Sequence, residues 1–155
     1  DMTWCKGMRH CFLIRDPAEV IASYLQKMPA VDEEAIGIVR QARLFDEIAT
    51  LCGTLPAVID SNDVLADPAG VLAATCAALD VPWLPESMLN WPAGPRASDG
   101  VWASHWYQNV EHSTGFGAPS GTSPVLAPQH RELAADMRKH YRRLAQYRLC
   151  PADNV

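Results

Sequence analysis

Short apolar runs and helical periodicity alternate in the first half of the chain. The run Cys11–Ile14 is bounded by polar residues and is too short for a stable helix, so it predicts a buried strand. Directly after it, Asp16, Pro17 and Glu19 have the arrangement of a helix N-cap, a first-turn proline and the acid of a capping box. Apolar residues then recur at helical spacing, at Val20, Ile21, Tyr24, Leu25 and Met28. The pattern predicts a strand, a tight turn and a helix.

The same order recurs further along the chain without sequence repetition. Apolar positions at helical spacing predict a helix over residues 33–52, which stops at Gly53. A second apolar run, Ala57–Asp60, predicts another buried strand, and Asp67 with Pro68 opens the next helix. The chain therefore contains two strand–turn–helix units.

Strands that alternate with helices predict an α/β fold, in which a parallel sheet is flanked by helices. In such sheets, ligands bind at the carboxyl ends of the strands. Arg15 and Asp60 occupy these ends in the two units. The sequence therefore predicts a ligand site close to these residues.

The second half of the chain has a different character. Residues 84–128 are rich in tryptophan, proline and glycine and show little periodicity, which predicts an irregular segment that packs as a lid. A last helix is predicted over residues 129–149, with Leu133, Met137, Tyr141 and Leu144 along one stripe. We expect one domain over residues 1–155, in which residues 1–83 form the core.

Composition narrows the class of protein. With 155 residues, of which 48% are hydrophobic, the chain is long and apolar enough for one domain with a core. A formal charge of −5 argues against general nucleic-acid binding. No apolar run is long enough to span a bilayer, and no signal peptide is recognisable. Five cysteines without a CxxC pair predict reduced thiols and a cytoplasmic location. No residues have metal-ligand spacing, so no metal is expected.

The segment FLIRDPAEVIASYLQK carries the residues best suited to binding an anion. A guanidinium such as that of Arg15 can hold a phosphate through paired charge-assisted hydrogen bonds, and the hydroxyl of Ser23 can add a donor. The nearby helix N-terminus contributes a favourable field. On the residues alone, an Arg15–Asp16 pair that serves only to cap a helix is at least as common an arrangement.

This segment resembles the 3′-phosphate-binding motif of sulfotransferases, of bacterial type, that use 3′-phosphoadenosine 5′-phosphosulfate (PAPS). The resemblance implies that Arg15 and Ser23 hold the 3′-phosphate of the nucleotide. The segment VIDSNDVLADPAGVLAATCAALDVPW resembles a later part of the same family, in which a strand, an acidic turn with Asp63 and an Asp-Pro helix follow one another. The family fold that this implies is a P-loop-NTPase-like three-layer fold, here only in part.

Further residues are assigned by the same resemblance. In GPRASDGVWASHWY, the residues Arg96, Gly100 and Trp102 resemble a late loop that closes over the 3′-phosphate, and the alternative is a lid anchored by tryptophan packing. The catalytic base is not identified. His105 and His112 are candidates, because histidine accepts a proton near neutral pH.

The loop that holds the 5′-phosphosulfate in this family is rich in glycine and serine or threonine and follows the first strand. Nothing ahead of Arg15 matches it, and the later glycines in residues 113–121 lack a preceding strand and a following lysine. We therefore expect an N-terminally truncated domain that is marginally stable alone or forms a homodimer over the open edge of its sheet.

The resemblance implies sulfuryl transfer from PAPS to a hydroxyl or amine of an unidentified small-molecule acceptor. The products would include adenosine 3′,5′-bisphosphate, and no metal is required. One alternative is an inactive truncated module that retains only the fold or the 3′-phosphate site. Another is a protein related to nucleotide kinases, which fold analogy alone does not assign. The complete parent protein is expected to be an enzyme, whereas activity of this chain by itself stays open.

Overall fold

Two parallel strands form the sheet of this computed structural model. The residues that it describes are 2–96, 98–101, 107–119 and 121–150. Strand β1 (Cys11–Ile14) pairs with β2 (Ala57–Asp60), so both predicted strands are confirmed with their bounds. On the other edge of β2, the N–H of Leu149 donates to the carbonyl of Val58 at 2.8 Å. The predicted parallel sheet is therefore confirmed, although it is short.

Helices flank this sheet. A 3₁₀ helix, Thr3–Gly7, precedes β1. In chain order the α-helices of the described residues are α1 (Pro17–Tyr24), α2 (Glu33–Ile36), α3 (Ile38–Cys52), α4 (Ser61–Ala66), α5 (Pro68–Leu79), α6 (Pro85–Leu89), α7 (Gln108–Glu111) and α8 (Pro128–Ala145). The described fold is thus α/β, as the alternation of strands and helices predicts. Within the described residues, none of these helices has the length and apolar character needed to cross a bilayer.

The helix predicted over residues 33–52 is divided in two at Gly37. This glycine has a φ of +73°, in the left-handed region that favours glycine, and it ends α2 and precedes α3. Asp32 starts α2, because its carboxylate accepts a hydrogen bond from the N–H of Ala35 at 2.8 Å. Helix α3 ends at Gly53, as predicted.

Two other boundaries differ from the sequence prediction. The turn predicted around Asp63 is the short helix α4, which begins directly after β2. Helix α8 ends at Ala145 rather than near residue 149, and a turn at Gln146 and Tyr147 leads to Arg148, which pairs with Val58. Pairing with the free edge of β2 satisfies backbone groups that another helical turn would leave without strand partners.

The main core lies between one face of the sheet and helices α3 and α8. Its members include Phe12, Ile14, Phe45, Val58 and Leu144. Phe12 and Phe45 meet edge to face, with ring centroids 5.6 Å apart. A second, smaller cluster joins α1 to α8 through Ile21 and Ala134. Helix α8 therefore contacts both the sheet and α1.

The irregular segment that follows α5 has its own local structure. Asn90 and Gly115 form an antiparallel bridge, and the indole N–H of Trp91 donates to the hydroxyl of Ser113 at 3.0 Å. The Trp91 ring also meets Phe116 edge to face, with centroids 5.3 Å apart. These contacts agree with a segment that packs, whereas its role as a lid stays a prediction.

Candidate functional site

The carboxyl ends of the two strands lie side by side. Ile14 is opposite Asp60 in the sheet, so the residues that follow them, Arg15 and Ser61, leave the sheet at the same edge. Both line a cleft of about 840 Å³ beside β1, whose wall also includes Leu13, Val20, Arg40 and Gln41. The predicted position of a ligand site thus coincides with a cleft in the structure.

Arg15 is held by one edge of its guanidinium group. Its Nε donates to Oε2 of Glu19 at 2.9 Å, and its side chain is 44% exposed. No described residue engages its terminal nitrogens Nη1 and Nη2. The capping-box role expected for Glu19 is not what the structure shows, because this carboxylate accepts hydrogen bonds from Arg15 and from Nδ2 of Asn62, at 3.1 Å. The paired terminal nitrogens of Arg15 are therefore available to an anion.

Ser23 lies one helical turn beyond Glu19. Residues four apart share a face of an α-helix, so Ser23 lies on the same face of α1 as Glu19, the residue that Arg15 contacts. Ser23 is exposed, and among the described residues its hydroxyl has no hydrogen-bond partner. Ser23 is not among the residues that line the cleft with Arg15, so its role as a phosphate ligand stays a prediction.

The first turn of α1 offers few free amide groups. Pro17 has no N–H, and the N–H of Ala18 donates to Oδ1 of Asp16 at 2.8 Å. The carboxylate of Asp16 also places a negative charge at this helix end. An anion near Arg15 therefore depends on side-chain donors more than on the amides of the helix N-terminus.

Asp60, at the end of β2, is buried and hydrogen-bonded within the fold. It is 3% exposed, its Oδ1 accepts from the N–H of Asn62 at 2.8 Å, and its Oδ2 accepts from the hydroxyl of Tyr141 at 2.6 Å. Burial raises the pKa of Tyr141, and the hydrogen bond to the Asp60 carboxylate raises that pKa further. Asp60 is thus used to cap α4 and to hold α8, rather than to face a ligand.

Sequence reasoning missed Ser61, Glu19 and Asn62 as parts of this site. The hydroxyl oxygen of Ser61 is buried and has no hydrogen-bond partner in the described part of the chain. Its position directly after the second strand was the one signal for it. The contact between Glu19 and Asn62 joins residues 43 positions apart, which no local pattern indicates.

Arg96 lines a second cleft, separate from the one that Arg15 lines. This cleft measures about 670 Å³ and is walled by Trp91, Val110 and Phe116. The backbone N–H of Arg96 donates to the carboxylate of Asp99 at 2.8 Å. Gly100 is exposed in the loop that follows. The structure does not bring Arg96 or Gly100 into contact with Arg15, so their role at the 3′-phosphate stays a prediction.

Of the two candidate histidines, only His112 lies among the described residues. His112 is exposed at the end of α7, and its Nδ1 donates to the carbonyl of Gln108 at 2.5 Å. His105 and Trp102 lie outside the described residues. Across the described ranges, no group of three or more histidine, cysteine, aspartate or glutamate residues forms a metal site.

Comparison with known proteins identifies a family. A family model described as "Sulfotransferase domain" matches residues 1–145. Two curated proteins of Arabidopsis thaliana are similar to this chain over 125 residues. Branched-chain-amino-acid aminotransferase-like proteins 1 and 2 are 35% and 33% identical to it. These alignments cover 81% of the chain and 22% of each relative, so the chain spans about a fifth of the relatives' length. No solved structure matches.

Proposed function

Because this chain belongs to the sulfotransferase domain family, we propose that Arg15 and Ser23 bind the 3′-phosphate of PAPS. The protein would transfer the sulfuryl group to a hydroxyl or amine of a small acceptor molecule. One observation carries this proposal: Arg15 contacts Glu19, which lies one helical turn before Ser23 on the same face of α1, and the two terminal nitrogens of Arg15 are unengaged by described residues. The family match also favours sulfuryl transfer over a nucleotide kinase activity.

The donor set fits a phosphate monoester. The Nη1 and Nη2 atoms of Arg15 form a planar fork that matches two phosphate oxygens, and the Ser23 hydroxyl adds a neutral donor. Both side chains are accessible to solvent, so a nucleotide can reach them without displacing the core. The same proposal includes a partial P-loop-NTPase-like fold of three layers. It also includes a role as a lid for residues 84–128.

PAPS supplies the sulfuryl group when it is bound. Arg15 and Ser23 would act at a distance from the transferred group, by holding the adenosine end so that binding energy positions the reacting end. Their loss should therefore weaken nucleotide binding more than it changes the chemistry of the bound complex. The homodimer, which light scattering would test, and the cytoplasmic location stay predictions from the sequence.

Calorimetric titration with adenosine 3′,5′-bisphosphate tests this assignment. We expect Arg15→Ala to weaken binding roughly ten- to a hundredfold, because a hydrogen-bonded charge is lost. Arg9→Ala is the matched control, since Arg9 forms an exposed ion pair with Asp80 at 2.6 Å and does not line the cleft with Arg15. Binding that is equally weakened in both variants, or absent from the unsubstituted protein, would contradict the proposal.

A further inference from the structure

We propose that Glu19 and Asn62 are positioning residues that hold the guanidinium of Arg15 in the orientation needed for the 3′-phosphate. This inference rests on the function proposed for Arg15. It adds two residues that do not touch the nucleotide themselves, and one of them, Asn62, belongs to the second strand–turn–helix unit.

The first step of the argument is the edge by which Arg15 is held. Glu19 accepts from Nε at 2.9 Å, on the side of the guanidinium plane next to the aliphatic stem. The opposite edge, formed by Nη1 and Nη2, can bind a phosphate through two parallel hydrogen bonds. A contact at Nε therefore fixes the plane of the group and leaves that terminal edge free.

The second step is that Glu19 is itself fixed. Its side chain is only 13% exposed, and its two oxygens are engaged separately. Oε2 accepts from Arg15, whereas Oε1 accepts from Nδ2 of Asn62 at 3.1 Å. A carboxylate with both oxygens occupied has little freedom to rotate, so it can orient the longer side chain of Arg15.

The third step places Asn62. Its backbone N–H donates to Oδ1 of the buried Asp60, and Tyr141 holds the other oxygen of that carboxylate. The start of α4 is therefore anchored to the end of β2 and to α8. Through Asn62 and Glu19, this anchored second unit reaches the Arg15 side chain of the first unit.

A competing interpretation gives Glu19 the opposite effect. A carboxylate next to a phosphate repels it, and one that occupies an arginine can compete for the same cation. If repulsion or competition dominated, removal of the charge would strengthen nucleotide binding. Since Glu19 engages Nε rather than the terminal nitrogens, we expect orientation to dominate and its removal to weaken binding.

The test is calorimetric titration of adenosine 3′,5′-bisphosphate into the protein and its variants. We expect Glu19→Ala to weaken binding about fivefold, because a freed arginine must be ordered again on binding. Glu19→Gln keeps one acceptor oxygen and should recover about half of the loss on a logarithmic scale. Asn62→Ala should weaken binding about twofold. The control is Glu86→Ala, which likewise removes an acid from the first turn of a helix that begins with proline, but at an exposed position that does not line the cleft with Arg15.

The same substitution of Glu19 in an Arg15→Lys protein distinguishes a positioning role of Glu19 from a general structural role. Lysine binds phosphate as a point charge and has no Nε edge for a carboxylate to orient. In an Arg15→Lys protein, removal of the Glu19 side chain should therefore cause no further loss of affinity. A loss as large as that in the Arg15 background would show a structural role and overturn the inference.

Other outcomes are equally decisive. Unchanged or tighter binding by Glu19→Ala or Glu19→Gln would overturn the positioning role while leaving the function proposed for Arg15 intact. If the unsubstituted protein did not bind the nucleotide, the proposed function would fail and this inference with it. Circular dichroism checks that each variant is folded, and the Gln and Asn62 variants carry the test if Glu19→Ala unfolds.

Discussion

The two strand–turn–helix units begin alike and end differently. Both place an aspartate where the strand meets a helix, and in both the carboxylate accepts a hydrogen bond from the second residue of that helix, Ala18 or Asn62. Asp16 is 26% exposed, whereas Asp60 is almost fully buried. The same local motif therefore serves an accessible edge in one unit and the interior in the other.

Helix α8 explains much of this difference. Within one helical turn it sends Arg138 to Asp16, at 3.3 Å, and Tyr141 to Asp60, at 2.6 Å. The arginine contact is partly solvated, but the tyrosine contact is a short bond to a buried carboxylate. The contact with α8 thus helps to enclose the carboxylate of Asp60 in the second unit, whereas Arg15 in the first unit stays accessible to a ligand.

The largest expected difference in the free energy of unfolding is between variants of the two capping residues, Asp60 and Asp16. Asp60→Ala removes a cap and leaves the partly buried hydroxyl of Tyr141 without its acceptor, so we expect it to lower the free energy of unfolding by about 3 kcal/mol. Asp16→Ala removes a cap and a partly exposed ion pair, and should cost about 1 kcal/mol. Urea unfolding measures both. A greater loss for Asp16→Ala would reverse the comparison.

A smaller effect, and one that depends on pH, is expected from Tyr141→Phe. This change leaves an oxygen of the buried Asp60 unpaired and should cost about 1 to 2 kcal/mol near neutral pH. Because the pKa of Tyr141 in the folded protein lies above its ordinary value of 10.0, the folded state keeps this proton after the unfolded chain has lost it. The stability that Tyr141 contributes is thus complete below this value and lost as pH rises above it.

The measurement is urea unfolding of both proteins between about pH 8 and pH 11. The difference in unfolding free energy between the unsubstituted protein and Tyr141→Phe should stay constant up to about pH 10 and then shrink. A difference that grew with pH would show that the hydroxyl is not held as a donor to Asp60.

The smallest expected effect concerns Ser61. Its buried hydroxyl has no partner in the described residues, so Ser61→Ala should raise the free energy of unfolding by about 0.5 to 1 kcal/mol. Ala69→Ser, on the neighbouring helix α5, introduces a hydroxyl at an exposed site and controls for the exchange itself. A loss of stability in Ser61→Ala would mean that this hydroxyl is satisfied in solution.

Local signals predicted the strands and helix starts well. Cys11–Ile14 and Ala57–Asp60 have the bounds that their apolar runs indicate, and Asp67 with Pro68 begins α5. These elements are determined by residues close together in the chain, such as a capping carboxylate and a first-turn proline. The break at Gly37 was missed, because a single glycine inside a periodic pattern does not by itself reveal its φ.

The residues of the candidate site also fall into two groups, those that a local motif indicates and those that only the fold brings together. Arg15 and Ser23 were proposed as ligands because one short motif carries them both, and this assignment stays a prediction. Glu19 was assigned to the wrong partner, because the capping box is the usual local use of an acid at that position. Its actual partners are Arg15 and, across the fold, Asn62.

The sequence by itself determined the order of strands and helices and the family that the chain resembles, since both depend on short-range pattern. Only the tertiary structure decided which strand-end residue is buried and which is accessible. That outcome depends on α8, which lies more than 60 residues after β2 and meets both strand ends through Arg138 and Tyr141. Burial is a property of what packs against a residue, and the residue's own neighbours in the chain do not specify it.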